Sequence, residues 1–249
     1  MKKPMLAVII CFMAACQNNT KPALSNLWSI YNARHAPQGK DTASGQNQAP
    51  PVILTIDVEC LDITLDTSGT DKVTVLKNIN KNEVTYEEHN SDGEVEIVSK
   101  GKTNIITNPG KIDVLVPENC IIICKSMSGN LTINKLSCMS INADAMSGDI
   151  KIRNLVAHRA KITAMSGDIS FNGTINIGSY ELSAMSGNVN IFLDRNSSVQ
   201  VKLVSENSGV SVDGENTDRN SLSRTLNTGQ GRLSARTMSG DIQYYTFLK

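Results

Sequence analysis

The stretch from Ala143 to Phe171 reads ADAMSGDIKIRNLVAHRAKITAMSGDISF and contains one corner motif twice, as Met146-Ser147-Gly148-Asp149 and Met165-Ser166-Gly167-Asp168. Three further copies begin at Met127, Met185 and Met238. The first three steps between copies are 19, 19 and 20 residues. A fixed period of this length is typical of a solenoid, in which each repeat buries its apolar face only by stacking on its neighbours. The sequence therefore predicts an all-β fold, a parallel β-solenoid (β-helix-like) with one motif in each rung.

Apolar residues recur at fixed distances from each methionine. Four residues after it stand Leu131, Ile150, Ile169, Val189 and Ile242, and two further on stand Ile133, Ile152, Phe171, Ile191 and Tyr244. Three residues before it stand Cys124, Ala143, Ile162, Leu182 and Ala235, and two before those stand Ile122, Ile141, Ala160, Tyr180 and Leu233. Positions two apart share one face of a strand. Each rung is thus predicted to hold two short strands, with residues such as Lys151, Lys161 and Ser170 facing outward.

The corner between the two strands has its own chemistry. Its glycine provides either a positive φ or a close approach of backbones, and the structural corner positions are Gly129, Gly148, Gly167, Gly187 and Gly240. The serine and the Asp or Asn side chains are predicted to accept hydrogen bonds within their own turn. The methionine is predicted to fill the end of a thin core, because its side chain is flexible.

Stacked rungs would place Asn130, Asp149, Asp168 and Asn188 in a ladder, at a spacing of about 4.8 Å. Such oxygen atoms are ligands for Ca²⁺, so Asp149 and Asp168 are weak metal candidates. The glycine-rich nonapeptide calcium repeats carry far more Gly and Asp per turn. We therefore favour turn chemistry, and predict no metal, no cofactor and no catalytic residue.

Residues 52–117 alternate in polarity without a strict repeat. The predicted strands are 52–58, 61–65, 73–76, 95–98 and 112–116, and breakers separate them. This segment is expected to begin the same sheets and to cap one end, with residues 243–249 closing the other. A degenerate copy of the motif, Asn207-Ser208-Gly209, is followed by a polar insertion at 213–231 that is predicted to be a loop.

The N-terminus has the features of an export signal. Lys2 and Lys3 precede an apolar stretch too short to span a bilayer. The sequence Met13-Ala14-Ala15-Cys16 resembles the lipobox of bacterial lipoproteins, in which the cysteine is lipidated. The resemblance implies a signal peptide at 1–15, a lipidated Cys16 and, with Gln17 next, sorting to the outer membrane. The alternative is ordinary cleavage near Ala15.

Residues 16–51 are polar and rich in proline, which predicts a flexible tether to the membrane. The remaining residues, 52–249, have the length of one domain, with irregular strands at 52–117 and rungs at 118–249. The chain has 24 basic and 24 acidic residues and only 4% aromatic residues. Without a basic footprint it is not expected to bind nucleic acid.

Four cysteines, Cys60, Cys120, Cys124 and Cys138, follow the predicted lipidation site. In an exported protein disulfides persist, and Cys120 and Cys138 lie near successive rungs, but no pairing is favoured. Cys124 falls in an inward column and is interpreted as a small buried residue. A metal site at Cys120 and Cys124 is disfavoured, since four residues of strand separate them by about 13 Å. The three histidines, at 35, 89 and 158, stand beside no convincing nucleophile.

The pattern of Asp113-Val114-Leu115-Val116-Pro117, Ile121-Ile122-Ile123 and the Ser-Gly-Asp/Asn corners resembles the bacterial "putative adhesin" domains of unknown function. The sister head domains of autotransporter adhesins share these features. The resemblance covers about residues 52–249 and implies an all-β solenoid in the cell envelope, with no known catalytic residues. It favours a membrane-anchored, non-catalytic scaffold that binds an unknown protein or glycan. A periplasmic structural or stress-related partner protein is the alternative, and a carbohydrate-active enzyme the more distant one.

Overall fold

A computed structural model describes residues 50–103, 105–217 and 219–248. The predicted signal peptide, Cys16, His35 and residues 16–49 of the predicted tether lie outside the described residues. Within the described ranges the regular structure is β-strand, without any helix. The described part of the chain accordingly holds no helix with the length and hydropathy needed to cross a bilayer.

The described strands form two ten-stranded sheets, named here sheet A and sheet B. Sheet A comprises β1 (Val52–Val58), β4 (Val84–Ser91), β5 (Glu94–Gly101), β7 (Cys120–Ser126), β9 (Ser137–Ser147), β11 (Val156–Ser166), β13 (Ser179–Ser186), β15 (Val199–Ser205), β18 (Ser221–Leu226) and β19 (Gly231–Ser239). Sheet B comprises β2 (Asp62–Thr67), β3 (Thr74–Ile79), β6 (Gly110–Val116), β8 (Leu131–Asn134), β10 (Ile150–Arg153), β12 (Ile169–Gly173), β14 (Val189–Asp194), β16 (Val210–Val212), β17 (Glu215–Thr217) and β20 (Ile242–Phe247).

Each rung consists of one strand of sheet A, a corner and one strand of sheet B. Neighbouring rungs pair in parallel and in register. Ile162 lies opposite Ala143 in sheet A, and Ile150 lies opposite Ile169 in sheet B. The parallel solenoid predicted from the spacing of the corners is therefore confirmed, and the residues upstream of the motifs contribute β1 and β2 to the same two sheets.

The rungs do not stack in the order of the sequence at either end. Sheet A runs β18-β15-β19-β13-β11-β9-β7-β1-β5-β4, and sheet B runs β17-β16-β20-β14-β12-β10-β8-β2-β6-β3. The C-terminal rung, β19 and β20, thus inserts between β13/β14 and β15/β16. The expectation that residues 243–249 close an end is wrong, because β20 is paired on both of its edges.

Antiparallel strands close both ends of the solenoid. At one end β3 pairs with β6 and β4 with β5, and at the other β17 pairs with β16 and β18 with β15. The insertion at 213–231 is therefore not the predicted loop, since it supplies the two terminal strands β17 and β18. The strand β4 was absent from the sequence prediction, because an edge strand is half exposed and its polar residues break the apolar alternation.

The core lies between the two sheets and is a stack of inward columns. All twenty residues predicted to face inward are buried, with at most 2% of each residue exposed. Phe171 and Tyr180 meet edge to face, with ring centroids 6.0 Å apart. The buried Tyr180 hydroxyl accepts from the N–H of Ala157 at 3.0 Å and donates to the carbonyl of Leu155 at 3.1 Å. Burial of these columns is the main stabilising contribution, because apolar area is removed from water in every rung.

Candidate functional site

The Asp and Asn side chains at the corners form a continuous hydrogen-bonded ladder across the rungs. The N–H of Asp149 donates to Oδ1 of Asn130 at 3.0 Å, and the N–H of Asp168 donates to Oδ1 of Asp149 at 3.1 Å. The N–H of Asn188 donates to Oδ1 of Asp168 at 2.7 Å. Each side chain therefore satisfies the backbone of the next rung. The expectation that it serves its own turn is wrong.

The ladder extends beyond the four residues that were predicted to form it. At one end the N–H of Asn130 donates to Oδ1 of Asp62 at 2.8 Å. At the other end the N–H of Asp241 donates to Oδ1 of Asn188 at 2.9 Å, and the N–H of Gly209 donates to Oδ1 of Asp241 at 3.2 Å. The corner ladder thus joins seven rungs and consists of Asp62, Asn130, Asp149, Asp168, Asn188 and Asp241, ending on the Gly209 amide. The Asp62-Ile63 dipeptide was the only signal in the sequence for its first member.

The corner glycines are required by a close approach of backbones. A Cβ atom on Gly148 would collide with the carbonyl of Gly129, and one on Gly167 would collide with the carbonyl of Gly148. The same relation holds between Gly187 and Gly167, and between Gly240 and Gly187. Of the two reasons considered for these glycines, the structure supports the close approach, because stacked corners leave no room for a side chain.

The corner methionines form a row on the outer surface, named here the methionine row. In spatial order it comprises Met127, Met146, Met165, Met185 and Met238. Met127, Met146 and Met238 are 48%, 36% and 43% exposed, and the other two are half-buried. The expectation that these side chains fill the end of the core is wrong, because each follows an inward residue and so points outward.

A glutamate stands at each end of the methionine row. Glu59 occupies the methionine position of the rung beside Met127, since the N–H of Ser128 donates to its carbonyl at 2.8 Å. Glu206 occupies that position beside Met238, and its N–H donates to the carbonyl of Thr237 at 3.0 Å. Five adjacent rungs therefore present a row of apolar, polarisable side chains about 19 Å long, with an acidic side chain at each end.

The degenerate copy of the motif is displaced by one residue from the predicted alignment. Ser205 lies opposite Thr237 and Val210 opposite Ile242. Asn207 therefore takes the serine position, Ser208 the glycine position and Gly209 the ladder position. The corner of Gly240 lies on the side where the other corner glycines make their close backbone contact, so the structure does not explain why this rung has serine.

The geometry around Asp149 and Asp168 bears on the metal interpretation. Their Oδ1 atoms accept from backbone amides of the following rungs, as described above. Across residues 50–103, 105–217 and 219–248, no group of three or more His, Cys, Asp and Glu side chains is placed to hold a metal ion. The arrangement of these carboxylates serves the stacking of corners.

The four described cysteines are free thiols in buried positions. Burial raises the pKa of Cys120, Cys124 and Cys138 to about 12, and burial also raises the pKa of Cys60. Cys60 lines a polar cleft of about 770 Å³ at the first rung of the corner ladder, together with Asp62, Lys111 and Ser128. Since the thiolate is the nucleophilic form, a raised pKa makes this thiol a poor nucleophile near neutral pH.

The outward faces of both sheets are mostly polar, and an aromatic pair on sheet B is among the exceptions. Across sheet A the outward positions include Asp144, Thr163 and Ser183 on adjacent strands. On sheet B, Phe192 and Tyr245 stack with ring centroids 5.1 Å apart and planes 8° apart, and both are half-buried. Their contact joins β14 and β20, two strands that are distant in the chain, so a local sequence pattern does not reveal it.

This fold and these corners define a β-solenoid built from two parallel sheets, stacked through glycine corners and a carboxamide and carboxylate ladder. The family model described as Toastrack DUF4097 matches residues 53–176 and again residues 122–244. The chain therefore belongs to the Toastrack DUF4097 family, a family of unknown function.

Two solved structures of bacterial proteins match this chain. A putative cell adhesion protein from Clostridium sporogenes ATCC 15579 is 11% identical, with 81% of this chain and 95% of that chain covered and a TM-score of 0.52. A putative adhesin from Bacteroides fragilis NCTC 9343 is 12% identical, with 80% and 93% covered and a TM-score of 0.34. No curated protein matches this chain. At this identity the first likeness establishes the fold and nothing finer.

Proposed function

We propose that this protein is a lipid-anchored component of the cell envelope whose solenoid is a non-catalytic binding scaffold. The observation that carries the proposal is the methionine row, which five rungs hold at one corner in an exposed or half-exposed position. The partner is a protein or glycan surface that contacts this corner and the adjacent polar face of sheet A. The adhesion role named for the similar Clostridium protein supports the same class of function.

The methionine row has the physical properties of a recognition surface. Methionine is unbranched and polarisable, so a row of such side chains adapts to partners of different shape. Large contiguous apolar patches are rare on the surfaces of folded domains, and where they occur they commonly mark sites of interaction. The corner ladder hydrogen-bonds the backbones of adjacent corners, which holds the methionine positions at a constant spacing while the side chains adapt.

The N-terminal sequence supports the anchored location. Cys16 follows small residues at the end of an apolar stretch, and the residues from 17 to 51 are polar and rich in proline. A single lipid chain holds a protein weakly, but the several acyl chains of a bacterial lipoprotein anchor bind a membrane stably. A tether of this composition would let the solenoid reach away from the bilayer.

Protease shaving of intact cells tests on which side the solenoid lies. Cells expressing the full chain are treated with protease, and an antibody to the solenoid measures what remains. Loss of signal from intact cells supports the role in adhesion to another cell or to a matrix. Protection until the outer membrane is opened contradicts that role and leaves a scaffold for periplasmic partners.

A photo-crosslinking residue tests the methionine row itself. A benzophenone amino acid at position 165 lies in the row, and the matched control at position 151 lies on the outward face of sheet B, where Lys151 is exposed. We expect crosslinks to a partner from position 165 and few from position 151. Equal crosslinking from both positions, or none from position 165, would contradict the assignment of the row as the binding surface.

A further inference from the structure

Both ends of the solenoid expose a pair of strand edges. At the head, β4 is the terminal strand of sheet A and β3 that of sheet B. At the tail, β18 ends sheet A and β17 ends sheet B. Most residues of these four strands are exposed or half-buried. Such edges present unpaired N–H and C=O groups, which other strands can pair with.

The head carries a charged pair on the inner side of its two terminal strands. Lys77 of β3 pairs with Glu88 of β4, with Nζ and Oε2 3.1 Å apart. The Tyr86 hydroxyl also donates to Oε2 of Glu88 at 2.9 Å, and Nζ of Lys77 lies 4.5 Å from the centre of the Tyr86 ring. The head therefore presents a negative charge in sheet A and a positive charge in sheet B, next to an aromatic ring.

The tail carries the opposite charges in the two sheets. Arg224 of β18 lies opposite the buried Val201, and Glu215 of β17 lies opposite the half-buried Val212, so both belong to inward columns. Both residues are exposed. Within the described part of the chain, neither belongs to an ion pair with another described residue. The terminal strand of sheet A at the tail therefore carries a positive charge, and the terminal strand of sheet B carries a negative charge.

From this complementarity we infer that the solenoid stacks head to tail on a second copy of itself. In such a stack β18 of one copy pairs with β4 of the next, and β17 pairs with β3. Because all four strands run antiparallel to the rungs beside them, both new pairs are parallel. Sheet A then continues as sheet A and sheet B as sheet B. The inference goes beyond the proposed binding function, since it concerns assembly of this chain with itself.

The registers of the two sheets fix how the copies align. In sheet A, Arg224 lies in the column of Leu54, and Glu88 lies in the next inward column, with Ile56. Relative to a stack with continuous columns, one copy must shift by two residues along the strands of sheet A to bring Arg224 opposite Glu88 of the next copy.

In sheet B, Glu215 lies in the column of Leu65 and Lys77 in that of Ile63. Because each rung closes on itself, the strands of the two sheets run in opposite directions. One sideways shift by two residues therefore aligns Glu215 with Lys77 and Arg224 with Glu88 together. The same shift places Leu222 opposite Tyr86, so an apolar contact joins the charge pairs.

Disulfide trapping in the full-length, membrane-bound protein tests this inference. In the shifted register Ser223 of the tail lies opposite Glu87 of the head, and both point outward. The doubly substituted chain Glu87→Cys/Ser223→Cys is oxidised on membranes and resolved on a non-reducing gel. We expect dimers, trimers and higher species. The native thiols described above are buried, so the unsubstituted chain should give none.

The single substitutions distinguish the possible contacts. A head-to-tail stack gives no crosslink from Glu87→Cys or Ser223→Cys alone, and gives dimers when the two variants are mixed. Dimers from either single variant would show contact between like ends and would overturn the inference. Absence of multimers from the double variant would overturn it as well.

Charge reversal tests the basis of the contact. Arg224→Glu in the double-cysteine chain should lower the multimer yield by about fivefold or more, since it places like charges together. Lys202→Glu is the matched control, because Lys202 lies on the outward face of the neighbouring strand. If the Arg224→Glu variant does not fold, the double-cysteine chain that keeps Arg224 still provides a test, because added salt screens the charges and should lower its multimer yield. Unchanged yield in both experiments would contradict the charge complementarity and the inference. Protease shaving is independent of all these results.

Discussion

Oδ1 of Asp149 accepts a hydrogen bond from the N–H of Asp168, 3.1 Å away in the next rung of the solenoid. The two residues occupy the same position of consecutive motifs, so the relation repeats along the molecule. Because each side-chain oxygen accepts a hydrogen bond from the backbone N–H of the next corner, each corner is coupled to the next. This coupling explains why either Asp or Asn suits the position, since both supply an Oδ1 acceptor.

Removal of one member of the ladder should destabilise the fold. Asp168→Ala leaves the N–H of Asn188 without its acceptor, which lies 2.7 Å away, and should lower the free energy of unfolding by about 1–3 kcal/mol. Asp168→Asn keeps the acceptor and should stay within about 0.5 kcal/mol of the original. Urea unfolding followed by circular dichroism measures both. Equal stability of the Ala and Asn variants would contradict the ladder's contribution.

A methyl group at a corner glycine in close backbone contact should cost far more than one at a glycine with open space around it. Gly167→Ala places a Cβ against the carbonyl of Gly148 and should destabilise by about 1–3 kcal/mol or more, because backbone atoms must shift. Gly167→Val should cost still more. Gly209→Ala is the control for replacing a glycine that has no close contact, since no atom lies within 4 Å of the added Cβ. Thermal melting compares the variants, and similar melting of Gly167→Ala and Gly209→Ala would count against the close-approach explanation.

The buried thiols predict both a reactivity and a pH dependence. With the pKa of Cys124 raised to about 12 by burial, the native protein should resist alkylation at pH 8 and react only after denaturation. The unfolded thiol ionises near pH 9, whereas the folded thiol stays neutral until higher pH. Stability from this group is therefore present below pH 9 and lost between pH 9 and 12.

Mass spectrometry of alkylated peptides and urea unfolding at several pH values measure these effects. Cys124→Ser is the control for the pH dependence, since a serine hydroxyl does not ionise in this range. Rapid labelling of Cys124 in the folded protein would show that the position is open to solvent, contrary to its burial.

Substitution of Cys16, the proposed lipidation site, should release the protein from the membrane. Cys16→Ser removes the thiol that a lipoprotein anchor requires, so the chain should move from the membrane pellet to the soluble fraction. Cell fractionation with immunodetection measures the distribution, and Cys11→Ser, inside the predicted signal peptide, is the control that should leave it unchanged. Retention of Cys16→Ser in the pellet would exclude this residue as the anchor.

The core of the solenoid was predictable because its information is local and repeated. The spacing of the corners predicted the stack, and the offsets from each methionine identified columns such as Ile150 and Ile169, which are buried. Inward and outward sides alternate with period two, so a correct alignment of motifs assigns every side chain to a face. The outward methionines were misassigned because flexibility was given more weight than this alternation.

Local sequence specifies the rung, its two strands, its inward residues and the glycine at its corner, because each depends on neighbours within one period. Tertiary structure alone decided the order of the rungs at the two ends. The placement of β19/β20 inside β15/β16 depends on pairing between strands far apart in the chain, and a local pattern does not specify which free edge a strand will join. Because they also depend on pairing between distant strands, the terminal strands, the shifted register at Asn207 and the placement of charges at the head and tail were not predicted from the sequence.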